Sequence, residues 1–396
     1  MKNFREDFPI FKKGFDPNGI IYFDSASTTL KPQKVISRIT QFYEYETSNV
    51  SRGNHFLSER NTQAIEDVRA KTASFIKAQS NEILFTSNCT DAINLVANCL
   101  DFSDKDEVIV SIMEHHSNYL PWLQKANVKI VQLDKNGLID LKHLEELITD
   151  KTKLIAFSYA SNITGNIQPV EEIIKLAKKN NILTLIDAAQ IMSHNPIDMR
   201  KLDCDFLAFS AHKMFGPSGL GILYVKKERQ DLLRPIKFGG GMVNKVELDE
   251  ITLQDFPYSF EAGTPNIEGI LGFGAAIDYI VEKGFDSMQE HLNLLEKYFR
   301  NALSKLDFID LLLIAPTKHL PIFTIVIKNP KVDIKDLTQM FSDSYNIMVR
   351  GGFHCCQLLF NQLNLTGGIR ASLHIYNTKE DIDKFIQVLG KLRAFF

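Results

Sequence analysis

Lys213 stands in the run Phe209-Ser210-Ala211-His212-Lys213-Met214-Phe215-Gly216-Pro217-Ser218-Gly219, just past an apolar strand and within a loop of small residues. A lysine at a strand's carboxyl end, partly desolvated in a cleft, can form a Schiff base with an aldehyde cofactor. Its neighbours Ser210 and His212 can both hydrogen-bond an anion. A surface lysine before a turn has the same local sequence, so the motif alone decides nothing. Asp187 adds to it, because Leu185-Ile186-Asp187-Ala188-Ala189-Gln190 ends an apolar strand one strand earlier. A carboxylate there can keep a pyridine nitrogen protonated, and a protonated ring is an electron sink for a carbanion. Lysine and aspartate on successive strand ends together point to pyridoxal phosphate (PLP).

Two further runs fit this chemistry. Phe85-Thr86-Ser87-Asn88-Cys89-Thr90-Asp91-Ala92 carries a strand through small polar residues into a helix. The free N–H groups of that helix start, with Cys89 and the Thr90 hydroxyl, offer a phosphate site. Ordinary capping by Thr90 or Asn88 is compatible with it. Met113-Glu114-His115-His116-Ser117-Asn118 follows another strand, where the His115 imidazole can stack on a planar ring. Paired histidines also suggest metal, but no carboxylate spacing accompanies them and no metal site is expected.

The elements that must hold these residues alternate along the chain. Strands are expected at Ile83–Phe85, Glu107–Ser111, Lys129–Gln132, Leu154–Ser158, Leu183–Asp187, Phe206–Ser210 and Gly221–Val225. Helices are expected between them, as at Thr90–Leu100, Asp140–Leu147 and Val170–Asn180. Such alternation predicts an α/β fold, with a mostly parallel seven-stranded sheet that binds ligands at its strands' carboxyl ends. The link Gly216–Gly221 is too short for a crossover, so the last strand should pair antiparallel. A glycine-rich stretch, Phe238–Pro265, breaks the rhythm. A long helical pattern then runs from about Ile267 to Leu306. Beyond it a smaller α+β lobe holds a strand at Ile322–Ile327 and helices at Ile334–Ser344 and Lys379–Leu392. The expected division is 20–265 for the large cofactor-binding domain and 266–396, with 1–19, for the small one.

Bulk properties agree with an enzyme of this kind. The 396 residues are 44% hydrophobic and 23% charged, with a net charge of -3. That charge gives no electrostatic case for nucleic acid or an anionic membrane. The segment Met1 to Ile10 lacks the apolar core of a signal peptide, and no apolar run is long enough to span a bilayer, so a cytoplasmic protein is expected. Five scattered cysteines, Cys89, Cys99, Cys204, Cys355 and Cys356, form no disulfide framework.

Read in order, the motifs resemble the class V, fold type I PLP family, and within it the short-loop, sulfur-mobilising cysteine desulfurases. The resemblance opens at Ile21-Tyr22-Phe23-Asp24-Ser25-Ala26-Ser27-Thr28-Thr29 and passes through Arg52-Gly53-Asn54-His55, Glu114-His115-His116-Ser117-Asn118, Ser161-Asn162-Ile163-Thr164-Gly165 and Ser210-Ala211-His212-Lys213. It ends at Glu261-Ala262-Gly263-Thr264-Pro265 and Arg350-Gly351-Gly352-Phe353-His354-Cys355. It implies that Lys213 is the Schiff-base lysine, that Asp187 pairs with the pyridinium, that Gln190 contacts the ring oxygen and that His115 stacks over the ring. Cys89, Thr90, Ser210 and His212 belong to the cofactor site, and Thr264 reaches the phosphate from the partner subunit of a homodimer. Asn162, Arg350 and Arg370 bind the substrate; an internal ion pair is the other reading of Arg370.

The resemblance makes Cys355 the nucleophile that takes sulfur from L-cysteine, leaving a persulfide and alanine, with a protein as sulfur acceptor. Selenocysteine lyase activity on L-selenocysteine is a related possibility. Transamination, β-elimination or epimerisation would use the same cofactor set without Cys355, and a scaffold without turnover would not need Lys213, Asp187, His115 and Arg370 together. A thiolate is required, and His354 and Arg350 are expected to favour it. Three departures from the family pattern stand out. Ala211 replaces a usual glycine and should add a methyl beside the cofactor. Gly351-Gly352-Phe353 should give a more mobile loop with a more apolar mouth. Cys356 adjoins Cys355, as packing or as a resolving thiol.

Overall fold

Seven strands, all but the edge strand Asn127–Val131 buried along most of their length, build the central sheet of this computed structural model, which describes residues 3–12, 19–315 and 319–395. They are β1 (Ile83–Thr86), β2 (Glu107–Ser111), β3 (Asn127–Val131), β4 (Thr152–Ser158), β5 (Leu183–Asp187), β6 (Phe206–Ser210) and β7 (Gly221–Val225). Their spatial order is β1-β7-β6-β5-β4-β2-β3. The pairs among β3, β2, β4, β5 and β6 are parallel, while β7 runs antiparallel to both β6 and β1. The short link 216–220 cannot cross over the sheet, and the antiparallel seventh strand follows from it. Strands covered on both faces read as continuous apolar runs, which is why each lies close to its expected position.

Several of the helices between the strands start at side-chain caps. Asp140 accepts from the N–H groups of Lys142 and His143 at the head of Leu141–Leu147. Val170–Lys179 buries Val170, Ile173, Ile174 and Ala177, and carries glutamates in its first turn and lysines in its last, in line with its dipole. The expected long helix is two: Ile267–Lys283 and Phe285–Leu303, separated by Gly284 at φ +78°. Ile267–Lys283 packs on the helices Gln33–Gln41 and Phe56–Ile76. The glycine-rich stretch holds an antiparallel hairpin, Val243–Val246 with Ile251–Leu253.

A second, four-stranded antiparallel sheet lies toward the C-terminus. Its strands are β8 (Ile309–Leu311), β9 (Ile322–Ile327), β10 (Arg350–Gly352) and β11 (Gly368–Ser372), in the order β8-β9-β11-β10. Its core joins Phe299, Phe323, Phe341 and Phe385. The N-terminal turns bridge the two sheets: Arg5 pairs with Asp381 at 2.6 Å, and Phe8 packs on Tyr376, Tyr279 and Phe215. This arrangement brings β10 and β11 over the carboxyl ends of β4, β5 and β6.

Candidate active site

Those strand ends surround a cavity of about 460 Å³. Its lining includes Cys89, Thr90, His115, Asn162, Asp187, Gln190, Ser210, His212, Lys213, Arg350, Cys355 and Arg370, which means every expected site residue but one. The exception is Thr264. It is exposed and lines separate surface hollows beside Arg52, Gly240 and Gly263. Among the described residues no three His, Cys, Asp or Glu side chains group as metal ligands.

Asp187 is buried at the end of β5. Its carboxylate accepts from the Ala189 N–H at 2.9 Å and from the Cys89 thiol at 3.4 Å. Burial pushes its pKa up, against the pull of Lys213 and these donors. Burial likewise pushes the Lys213 amine down, while Asp187 draws it up. The Lys213 side chain keeps some surface in the cavity, yet protein atoms around it keep bulk water away, so the amine is poorly solvated. Cys89 is desolvated and beside a carboxylate, and its thiol is held well above the usual range; it serves Asp187 as a neutral donor.

The opposite end is a helix start. Asn88 caps Cys89–Cys99 by accepting from the Asp91 N–H at 2.9 Å, which leaves the Thr90 hydroxyl to Ser117 at 2.7 Å. The Cys89 N–H donates to Ser210 Oγ at 2.8 Å, tying this helix to β6. Gly221 permits the approach, since a Cβ there would lie 2.3 Å from the Asn88 carbonyl carbon. His115 Nδ1 accepts from the Ser117 N–H at 3.1 Å, which leaves its proton on Nε2. Burial, then the nearby Lys213, lower its pKa to about 3, so the ring is neutral.

At the mouth, two arginines share one carboxylate. Arg350 donates from Nε and Nη2 to Asp24, the shorter contact being 2.8 Å, and Arg370 Nη2 reaches the same group at 3.2 Å. Arg370 Nη1 also donates to the Asn162 carbonyl at 3.1 Å, while its buried Nε has no partner. The internal ion pair is therefore present on Arg370, a residue that also lines the cavity. Gln190 donates to the Ala26 carbonyl at 2.9 Å, which leaves its own oxygen toward the cavity side chains. Asp24 escaped notice as a site residue because its partners lie more than 320 positions away.

Cys355 is exposed on the loop after β10, and it and His354 both hold left-handed backbone, φ +58° and +50°. Non-glycine residues in that region carry strain that the surroundings must sustain. Here the His116 N–H donates to the Cys355 carbonyl at 2.8 Å and Asn162 Nδ2 to the His354 carbonyl at 2.9 Å. Cys356 is 1% exposed, with Sγ toward the Ile112 carbonyl and its pKa raised by burial, so it packs as a small apolar residue.

Three sequence expectations need correction. His354 does not assist as a cation: burial and then Arg370 lower its pKa to about 3, and its Nε2 faces the Gly368 carbonyl. The Ala211 methyl points into the core beside Gly216, outside the cavity lining. Phe353 packs edge-on against Phe360 rather than lining the mouth, and Gly351 and Gly352 are paired in the sheet with Ile369 and Gly368.

Comparison with known proteins adds a second line of observation. The aminotransferase class-V family model matches residues 21–385. A probable cysteine desulfurase of Halalkalibacterium halodurans is 39% identical over 98% of this chain and 97% of its own length. A cysteine desulfurase of Pectobacterium atrosepticum is 38% identical over 99% and 98%. Among solved structures, the apo cysteine desulfurase from Thermococcus onnurineus superposes with a TM-score of 0.92 at 34% identity, covering 100% of this chain and 99% of that one. The cysteine desulfurase CsdA from Escherichia coli, in an S-sulfonic acid form, gives 0.90 at 33%, covering 99% and 98%.

Proposed function

The chain belongs to the aminotransferase class-V family and, within it, to the cysteine desulfurases, and from that premise we propose that it uses PLP to move sulfur from L-cysteine onto Cys355. The observation that carries this reading is the exposed Cys355 thiol on the rim of the cavity that Lys213 and Asp187 line. The donor set fits the cofactor. Asp187 is a buried carboxylate suited to a pyridinium, Lys213 is a poorly solvated amine suited to an aldehyde, and Thr90, Ser210 and His212 gather at a helix start suited to a phosphate. His115, neutral and partly buried, suits a stacked ring. Thr264 is then a phosphate contact supplied by a second copy of the chain. When bound, PLP supplies an electron sink that acidifies the amino acid's Cα and loosens the Cβ–S bond.

The protein's own groups do the rest. Arg370 and Asn162, which both line the cavity, orient the substrate carboxylate. Lys213, whose amine burial shifts toward neutrality, takes the Cα proton. The Cys355 thiolate attacks the substrate sulfur, so that an S–S bond forms and the Cβ–S bond breaks with its electron pair left on carbon. Carbon is reprotonated, alanine departs, and the sulfur stays as a persulfide for a protein acceptor. In this reading the enzyme is a cytoplasmic homodimer, with 20–265 as the cofactor-binding domain and 266–396, with 1–19, as the smaller one. Among the described residues no helix is long and apolar enough to cross a membrane.

The experiment is alanine and sulfide release from L-cysteine, with and without a reductant. Alanine should appear in both, with sustained sulfide release only when reductant clears the persulfide. Transfer of the amino group to a keto acid, with no alanine, would instead favour an aminotransferase.

A further inference from the structure

Four donors from one short segment converge on a single carbonyl next to Lys213. The acceptor is the His212 oxygen, the carbonyl of the peptide bond that leads into Lys213. It receives the Thr29 N–H at 3.0 Å, Thr28 Oγ1 at 3.0 Å, Thr29 Oγ1 at 3.1 Å and Lys31 Nζ at 2.9 Å. A carbonyl oxygen offers two lone pairs, so these donors share it. The 3₁₀ turn over Ala211–Lys213 is closed by its own backbone, the Met214 N–H donating to the Ala211 carbonyl at 2.9 Å, and only a continuation of the helix would give the His212 oxygen the Phe215 N–H. Phe215 instead sits at φ +67° and donates to Thr29 Oγ1 at 2.8 Å. The peptide that leads into Lys213 is therefore held from outside the turn, by residues 28–31.

Lys31 is the costly member of this set. Its ammonium also donates to the Thr29 carbonyl at 2.7 Å and, at 3.4 Å, to Thr28 Oγ1, and all three of its acceptors are uncharged. Burial lowers its pKa to about 7, with no charged partner offsetting the loss of water. A cation held among neutral acceptors is unfavourable unless it serves something. Lys31 does not line the cavity; it reaches the site through the His212 peptide it binds and, more weakly, through its charge on the His212 ring.

We propose that Lys31 is a positioning residue for Lys213, its ammonium fixing the His212 carbonyl and so the direction in which the lysine side chain leaves the turn. The inference rests on the reading of Lys213 as the residue that carries PLP and moves the substrate proton.

The test uses purified full-length Lys31→Met and Lys31→Arg beside wild type. Three quantities are read: the rate at which cofactor-stripped protein forms its visible absorption band on mixing with PLP, the pH midpoint of that band, and kcat against KM for L-cysteine. Lys31→Met should form the band about tenfold more slowly and lose kcat to a similar degree at little-changed KM, the effect of a slightly misplaced amine. Its midpoint should stay close to the wild-type value, because Asp187, Cys89 and Arg370, the groups that act on the Lys213 amine, are untouched. Lys31→Arg should recover most of both rates, since arginine keeps the charge and several donors. If Lys31→Met does not fold, Lys31→Gln, uncharged but still a donor, replaces it with the same expectations. Wild-type rates in the uncharged variant would overturn the inference alone, as would a Lys31→Arg protein no better than Lys31→Met or a midpoint shifted without any loss of rate. A wild type that forms no band would overturn the reading of Lys213 and the inference with it.

Discussion

Arg370 and Asp24 form an ion pair of 3.2 Å in which the arginine is only 3% exposed, and yet Arg370 Nε stays without a partner. Asp24 thus holds in place a guanidinium that lines the cavity, where it is read as the partner of the substrate carboxylate. Arg370→Ala should reduce kcat/KM for L-cysteine by at least about thirtyfold, the effect of removing one side of a buried charged pair. Arg370→Lys should recover little, because a lysine cannot make the planar two-point contact. Steady-state kinetics check this, with the visible spectrum unchanged; an unaltered KM in Arg370→Ala would be the contrary result.

Acid should destabilise the fold in a defined window. Burial lowers His115, His319 and His354 to about 3, and His194 and His212 to about 4. A group whose folded pKa lies below its unfolded value contributes stability above the unfolded value, near 6.5, and loses it as pH falls toward the folded one. Glu114 works the other way. Burial raises it to about 7, so its contribution is present below its unfolded value and is lost as pH rises toward 7. Five histidines outweigh one glutamate, so melting temperature should fall between pH 6.5 and 4. Glu114→Gln removes the opposing slope and should make that fall steeper; a shallower one in thermal scans would contradict the assignment.

Arg69 is 2% exposed and makes a paired contact with Glu261, 2.8 Å at each oxygen, with Glu66 on its other side. Glu261 also accepts from the Phe85 N–H, so this pair fastens the segment that carries Thr264 to β1. Arg69→Met leaves the partly buried Glu261 carboxylate without its paired donors and should cost about 3 kcal/mol in unfolding free energy, the low end for a broken buried pair. Since Thr264 is read as a contact made across a dimer, the same variant should also weaken cofactor retention. Denaturant titration and dialysis against cofactor-free buffer check the two effects.

The sheet was legible in the sequence because its strands are buried on both faces and carry their pattern locally. The antiparallel β7 was legible from the length of the link before it. The 21-residue helix Phe56–Ile76 was not, since it buries Ser58, Asn61, Arg69 and Thr72 where an amphipathic pattern would put apolar residues. The break at Gly284 was hidden by helical periodicity continuing on both sides. Lys213, Asp187, Thr90 and His115 were found from motifs at strand ends and Asn162, Gln190, Arg350, Cys355 and Arg370 through the family resemblance, but Asp24 and Lys31 were not, because Arg350, Arg370 and the His212 carbonyl that they meet are distant in the chain. The direction of the Ala211 methyl and the neutrality of His354 depend on what packs around them, which one-dimensional reading cannot supply.

Cys355 and Cys356 are adjacent, and their surroundings differ completely: one thiol is exposed on the cavity rim, the other is buried toward Ile112. The most direct measurement is alanine production from L-cysteine by Cys355→Ser and Cys356→Ser beside wild type, each with its PLP spectrum recorded. Cys355→Ser should bind PLP as wild type does and lose alanine production by at least about a hundredfold, since a serine hydroxyl is scarcely ionised near neutral pH. Cys356→Ser should stay within about threefold, as a buried residue away from the sulfur. Activity kept by Cys355→Ser and lost by Cys356→Ser would contradict the account, and activity kept by both would leave a PLP enzyme of another kind.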